Sequence, residues 1–155
     1  MLPPESTVVP FADIANVPDA CGIYEVLTNS GLALKVGIAT SLRRRLAAHA
    51  RSRQSRLRLR VGGTWYNPSD VVSKQSVLAK HLYFDTEIAP EYDLTTEAGR
   101  QRFLREQCIV RFMVTPTRDD ARNLERELEA TGVYRYCGRV RTAYEPLCGA
   151  NRACK

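Results

Sequence analysis

The stretch GIYEVLTNSGLALKVG, residues 22–37, decides the fold. From Ile23 to Thr28 the residues alternate and several are β-branched or aromatic, Asn29-Ser30-Gly31 is a turn signal, and Leu32 to Val36 alternates again. Two such runs around a short glycine-containing turn read as a β-hairpin, and Gly37 closes it. Directly after it, Thr40 or Ser41 can cap a helix in which Leu42, Leu46 and Ala50 recur every four residues. That apolar stripe would pack on the hairpin, with Arg45 and His49 together on a neighbouring face.

Towards the N-terminus, Pro3, Pro4, Pro10 and Pro18 predict an extended lead-in over residues 1–20, with at most a short helical turn around Phe11–Ala15. Order is expected from Gly22 onward. Towards the C-terminus, Arg56–Val61 alternates like a strand, Gly62-Gly63 breaks it, and Asp70–Phe84 has a patchy helical pattern. Thr95 or Thr96 before Glu97 starts a helix that runs to Gln107, with Phe103 and Leu104 as its apolar contacts. Cys108–Val114 is an apolar strand stopped by Pro116, the third of the sheet. Thr117-Arg118-Asp119-Asp120 is a capping-box-like start, Ala121, Leu124 and Leu128 mark a buried stripe, and Gly132 stops the last helix. The expected fold class is α+β: a small three-stranded antiparallel sheet flanked by helices, with a partly helical insertion at about 54–105.

At 155 residues, 44% hydrophobic and 26% charged, the chain has the composition of one globular domain over residues 21–155. Five cysteines form no CxxC pair, and an odd count suits reduced thiols in a cytoplasmic protein better than a disulfide framework. Assembling Cys137, Cys148 and Cys154 with His49 or His81 into a zinc site would need spacings unlike those of structural zinc. Neither a basic leader with an apolar run nor the roughly 18 apolar residues of a membrane span is found, so no membrane association is expected. Walker loops, dinucleotide-binding glycine patterns and GxSxG elbows are missing too, which disfavours phosphoryl transfer from a nucleotide.

The net charge of +6 is local. No acid lies between Glu25 and Asp70, where Lys35 and eight arginines fall. The planar guanidinium fork matches phosphate oxygens in two places at once, so a nucleic-acid backbone is the natural partner, DNA or else RNA. Arg43, Arg44, Arg51, Arg53 and Arg56 are the expected contacts. The plain alternative is a solvated basic helix face.

Gly22-Ile23-Tyr24, then Lys35-Val36-Gly37, then Leu42-Arg43-Arg44-Arg45-Leu46 and His49, resemble in order and spacing the GIY-YIG nuclease domain. Ala121-Arg122-Asn123-Leu124-Glu125 resembles that family's helix with its metal-binding glutamate, and Asn151 the asparagine near the end of many members. The resemblance covers about 22–49 and 108–129. It implies a divalent-metal-dependent endonuclease hydrolysing phosphodiester bonds in DNA. Glu125 would hold Mg²⁺ or Mn²⁺, Arg45 the scissile phosphate, and Tyr24 with Lys35 would activate water. His49 would orient phosphate or water, or take a proton.

Those residue types suit the chemistry. One carboxylate can suffice for Mg²⁺, which keeps several waters and takes further ligands from phosphate. A fixed, always charged fork offsets charge in the transition state. Lys35 stands where the family more often has tyrosine, as in some of its restriction endonucleases; a lysine beside Tyr24 would lower the phenol's pKa.

Three other functions compete: a non-catalytic nucleic-acid-binding module, a site-specific restriction enzyme whose residues 54–105 read sequence, and a protein-interaction domain with an acidic partner. Trp65, Tyr66 and Tyr83 are read as core of the insertion in preference to base-stacking groups.

Overall fold

The computed structural model describes residues 1–73 and 77–138, and in it a four-stranded antiparallel sheet carries helices on both faces. Its strands are β1 (Thr7–Pro10), β2 (Gly22–Thr28), β3 (Ala33–Ala39) and β6 (Cys108–Val114), in the spatial order β1-β6-β2-β3. The expected hairpin is β2–β3, and it continues through Gly37 to Ala39 because Gly37 pairs with Tyr24. A β-bulge lies between Val26 and Leu27.

The sheet has four strands where three were expected. Residues 7–10 of the proline-rich lead-in pair with Phe112 through Ile109 on the outer side of β6. Pro10 is tolerated there because β1 is an edge strand, free to lack a donor on its outer side. The short helical turn also forms, as a 3-10 segment at Phe11–Asn16 with Phe11 buried.

Helix α1 (Leu42–Arg51) is capped by Ser41, whose side chain accepts from the Arg44 amide. Leu42 and Leu46 enter the main core beside Tyr24 and Val26 of β2 and Phe112 of β6. Helices α2 (Val77–Phe84) and α3 (Glu97–Gln107, capped by Thr96) fill the same core with Leu78, Leu82, Phe103 and Leu104. Residues 77–107 are therefore part of the scaffold.

A two-stranded ribbon, β4 (Arg58–Leu59) with β5 (Val71–Val72), stands apart with its own small cluster around Leu57, Val71, Ala79 and Phe84. The predicted strand over 56–61 shrinks to these two residues, and of the predicted helix over 70–84 the described helical part is Val77–Phe84, with Val71–Val72 in a strand instead. Trp65 packs on Tyr83 with ring centroids 5.5 Å apart, as expected of core. Tyr66 does not: it is 94% exposed.

Helix α4 (Arg118–Ala130) covers the opposite face. Thr117 and Asp120 form the expected capping box, and Ala121, Leu124 and Leu128 meet Ile23 and Val36 from the other side of the hairpin. Gly132 follows with φ +70°, the left-handed stop anticipated after the helix. Near this face Glu25, fully buried, accepts from the Leu2 amide, Arg111 and the Tyr134 hydroxyl, tying both ends of the described chain to β2. The Arg135 and Tyr136 amides donate to the Ala33 and Leu34 carbonyls, covering the first part of the β3 edge. Among the described residues no helix is long and apolar enough to cross a membrane.

Candidate active site

Past the part of the β3 edge that Arg135 and Tyr136 cover, α1 and α4 meet around a cleft of about 260 Å³. Tyr24, Lys35, Arg45, His49 and Glu125 all line it. Segments distant in sequence thus converge on one cleft.

The hairpin register explains how Tyr24 and Lys35 share a wall. Tyr24 opposes Gly37 and Val26 opposes Lys35, so Tyr24 and Lys35 are diagonal neighbours on one sheet face. Gly37 is required by the tyrosine: a Cβ there would lie 2.6 Å from Tyr24 Oη and 2.8 Å from its Cζ. Gly22 answers a different crowding, since a Cβ on it would meet the Met113 carbonyl oxygen at 2.3 Å and Leu42 at 2.8 Å. The two glycines that bracket the first and second motifs let β2, β6, α1 and the tyrosine ring close on one another.

Tyr24 Oη and His49 Nε2 are 2.6 Å apart and both side chains are buried. Burial lowers the His49 pKa to about 3, with Arg45 and Lys35 adding to the effect. Burial also holds the Tyr24 phenol above its ordinary range, against the pull of Arg45. At neutral pH the imidazole is therefore uncharged and the phenol protonated, and the two share one hydrogen bond whose direction follows the histidine tautomer.

Burial likewise lowers the pKa of Lys35, opposed by Glu129 and Glu125. Glu125 is shifted upward by burial and by Glu129, opposed by Lys35, Arg122 and Arg118. Among the described residues Glu125 is the only carboxylate lining the cleft, and no three His, Cys, Asp or Glu side chains gather as a ready-made metal cage. A lone hard oxygen donor whose ionised form is disfavoured by its surroundings fits a divalent cation of the Mg²⁺ type, which needs few protein ligands and would restore that ionised form.

Arg118 and Val77 also line the cleft, and neither was expected from sequence. Arg118 had a legible signal: it precedes Glu125 by seven residues, two helical turns on one face. The remaining predicted residues are dispersed. Arg43 is turned to the scaffold, its Nε donating to the Val17 carbonyl at 2.8 Å. Arg44 lies beside the cleft, while Arg51, Arg53 and Arg56 are exposed at the far end of α1 and after it. Asn151 lies outside the described residues, as do Cys148 and Cys154; Cys21 and Cys108 form no disulfide among the described residues.

No protein-family model, curated protein or solved structure matches this chain.

Proposed function

We propose that the cleft hydrolyses phosphodiester bonds in DNA as a divalent-metal-dependent endonuclease of the GIY-YIG type. One observation carries the reading: Tyr24, Lys35, Arg45, His49 and Glu125, drawn from the hairpin, α1 and α4, line a single cleft. A scaffold has no need to converge two cations, a carboxylate and a buried phenol–imidazole pair on one cavity.

Glu125 would hold Mg²⁺ or Mn²⁺, and the ion when bound would supply Lewis-acid stabilisation of the phosphoryl oxygens. Arg45 binds the scissile phosphate from α1, and Arg118 approaches it from α4. Tyr24 would take a proton from the attacking water as the phenolate, its ring held in place by the 2.6 Å hydrogen bond between its hydroxyl and His49 Nε2. Lys35 favours the transient phenolate from the same wall of the cleft. Water oxygen bonds to phosphorus, the phosphorus–oxygen bond to the leaving strand breaks, and that oxygen takes up a proton. The phenol and imidazole of this pair are both neutral at rest.

Incubation of supercoiled plasmid with the protein and Mg²⁺ or Mn²⁺ tests the reading. Wild type is expected to nick the plasmid, Glu125→Ala to abolish nicking, and Arg45→Ala to slow it by roughly 10²-fold or more, the cost of deleting one preorganised donor. Equal nicking by wild type and Glu125→Ala would remove the glutamate from its role. The exposed arginines Arg51, Arg53 and Arg56, outside the cleft, favour a non-catalytic nucleic-acid-binding module as the second reading. Steeply salt-dependent binding with no metal-dependent nicking would select it.

A further inference from the structure

A second depression of about 300 Å³ adjoins the cleft and shares two of its walls. Arg45 and Arg118 line both, and Arg44 and Thr40 line the second alone. Three arginines thus line one cavity whose lining includes no carboxylate among the described residues. Such an assembly repels itself unless an anion occupies it.

The nearest acid does little to neutralise it. Asp19 stands 4.0 Å from Arg44 across largely exposed side chains, a surface pair of small worth, and its carboxylate already accepts from the Ser41 hydroxyl. Arg45 and Arg118 form no ion pair with any described residue. The backbone at the start of α1 is not the attraction either: the Leu42 and Arg43 amides donate to Ala20 and Pro18, and the Arg44 amide to Ser41. Recognition falls to the side chains, three planar forks and the Thr40 hydroxyl, the donor set suited to a phosphate diester.

We infer that this depression is a second phosphate subsite, holding the phosphate next to the scissile one on the same strand, with Arg45 and Arg118 spanning the two. The inference rests on the nuclease reading and sharpens it: the substrate is an internal linkage of a continuous polynucleotide strand, and a mononucleotide or a lone diester fills only half of the site. Arg44 is the residue that distinguishes the second subsite from the first.

The probes are the thymidine oligomers dTpT, with one diester, and dTpTpT, with two, titrated without metal against the full chain while the arginine Nε–H resonances are followed by NMR. In wild type the second diester is expected to tighten binding roughly tenfold, the worth of one good charge-assisted contact. In Arg44→Gln the gain should fall to within about twofold, and in Arg118→Gln both oligomers should weaken. Arg44 is exposed and its substitution leaves the core intact; Arg118→Gln gives a second, independent reading. Equal affinities for the two oligomers in wild type, or no binding of either, overturn the subsite. Plasmid nicking without the affinity step would leave the nuclease standing and remove the subsite; the step without nicking would leave a two-phosphate binding surface and remove the chemistry.

Discussion

Gly37 looks expendable in a strand, yet the cleft depends on it. The Tyr24 ring lies where a Cβ would stand, and its hydroxyl reaches His49 only from that position. Gly37→Ala should fold, with circular dichroism like wild type and a loss of about 1–3 kcal/mol from overpacking, while plasmid nicking falls at least tenfold. Nicking at the wild-type rate would show that the tyrosine's position does not matter to the reaction. At this scale the sequence was informative about Tyr24, Lys35, Arg45, His49 and Glu125, because each sits in a short motif whose order survives folding. It was uninformative about Arg118, because a helix face gains meaning only once its opposite wall is known. Tyr66 was misread for the same reason: an aromatic residue does not announce which side of a ribbon it occupies.

Among the elements, α1 is held from behind by a buried arginine. Arg100 of α3 donates to the Ser52 hydroxyl and carbonyl, the Leu94 carbonyl and Gln54 Oε1, and no carboxylate pairs with it in these bonds. Its charge thus faces the C-terminal end of α1, where the unpaired carbonyls of the helix favour a cation. Ser52 is there the one described non-glycine residue with positive φ, 42°, which ends the helix. Replacing Arg100 by methionine should cost about 2–4 kcal/mol, since it strips a charged donor from carbonyls that remain buried. Chemical denaturation with an unchanged m value checks this; a loss below about 1 kcal/mol would mean that water replaces the guanidinium. Local capping made α3 and α4 legible, through Thr95 or Thr96, of which Thr96 is the cap, and through Thr117 with Asp120. β1 was illegible because its partner β6 is remote in sequence, and β4 and β5 because two-residue strands carry no period.

Across the whole molecule, two histidines are buried uncharged. Burial depresses His49 and His81 alike to about 3, the latter packed flat on Tyr136 and bonded to the Gly138 carbonyl. An unfolded chain protonates both near pH 6.5 while the folded one does not, so stability is full above that pH and drains away as pH falls towards 3. Between pH 7 and pH 5 each histidine should cost about 2 kcal/mol. Thermal melts at the two pH values should show a marked fall in Tm that shrinks in His81→Gln; an unchanged pH dependence would mean that His81 becomes charged without unfolding.

The order β1-β6-β2-β3 also governs when the molecule can exist. Thr7 pairs with Phe112, more than a hundred residues later, and β6 is the plank that joins the first strand to the hairpin. A chain emerging from the ribosome makes the hairpin and the arginines of α1 early, but it has nothing to bridge them to β1 until residue 114 is out. Glu125 and Arg118 arrive later still. Until then a nascent chain can attract anions yet lacks the last wall of its cleft, and the direction of translation withholds the finished site until residue 125 has emerged.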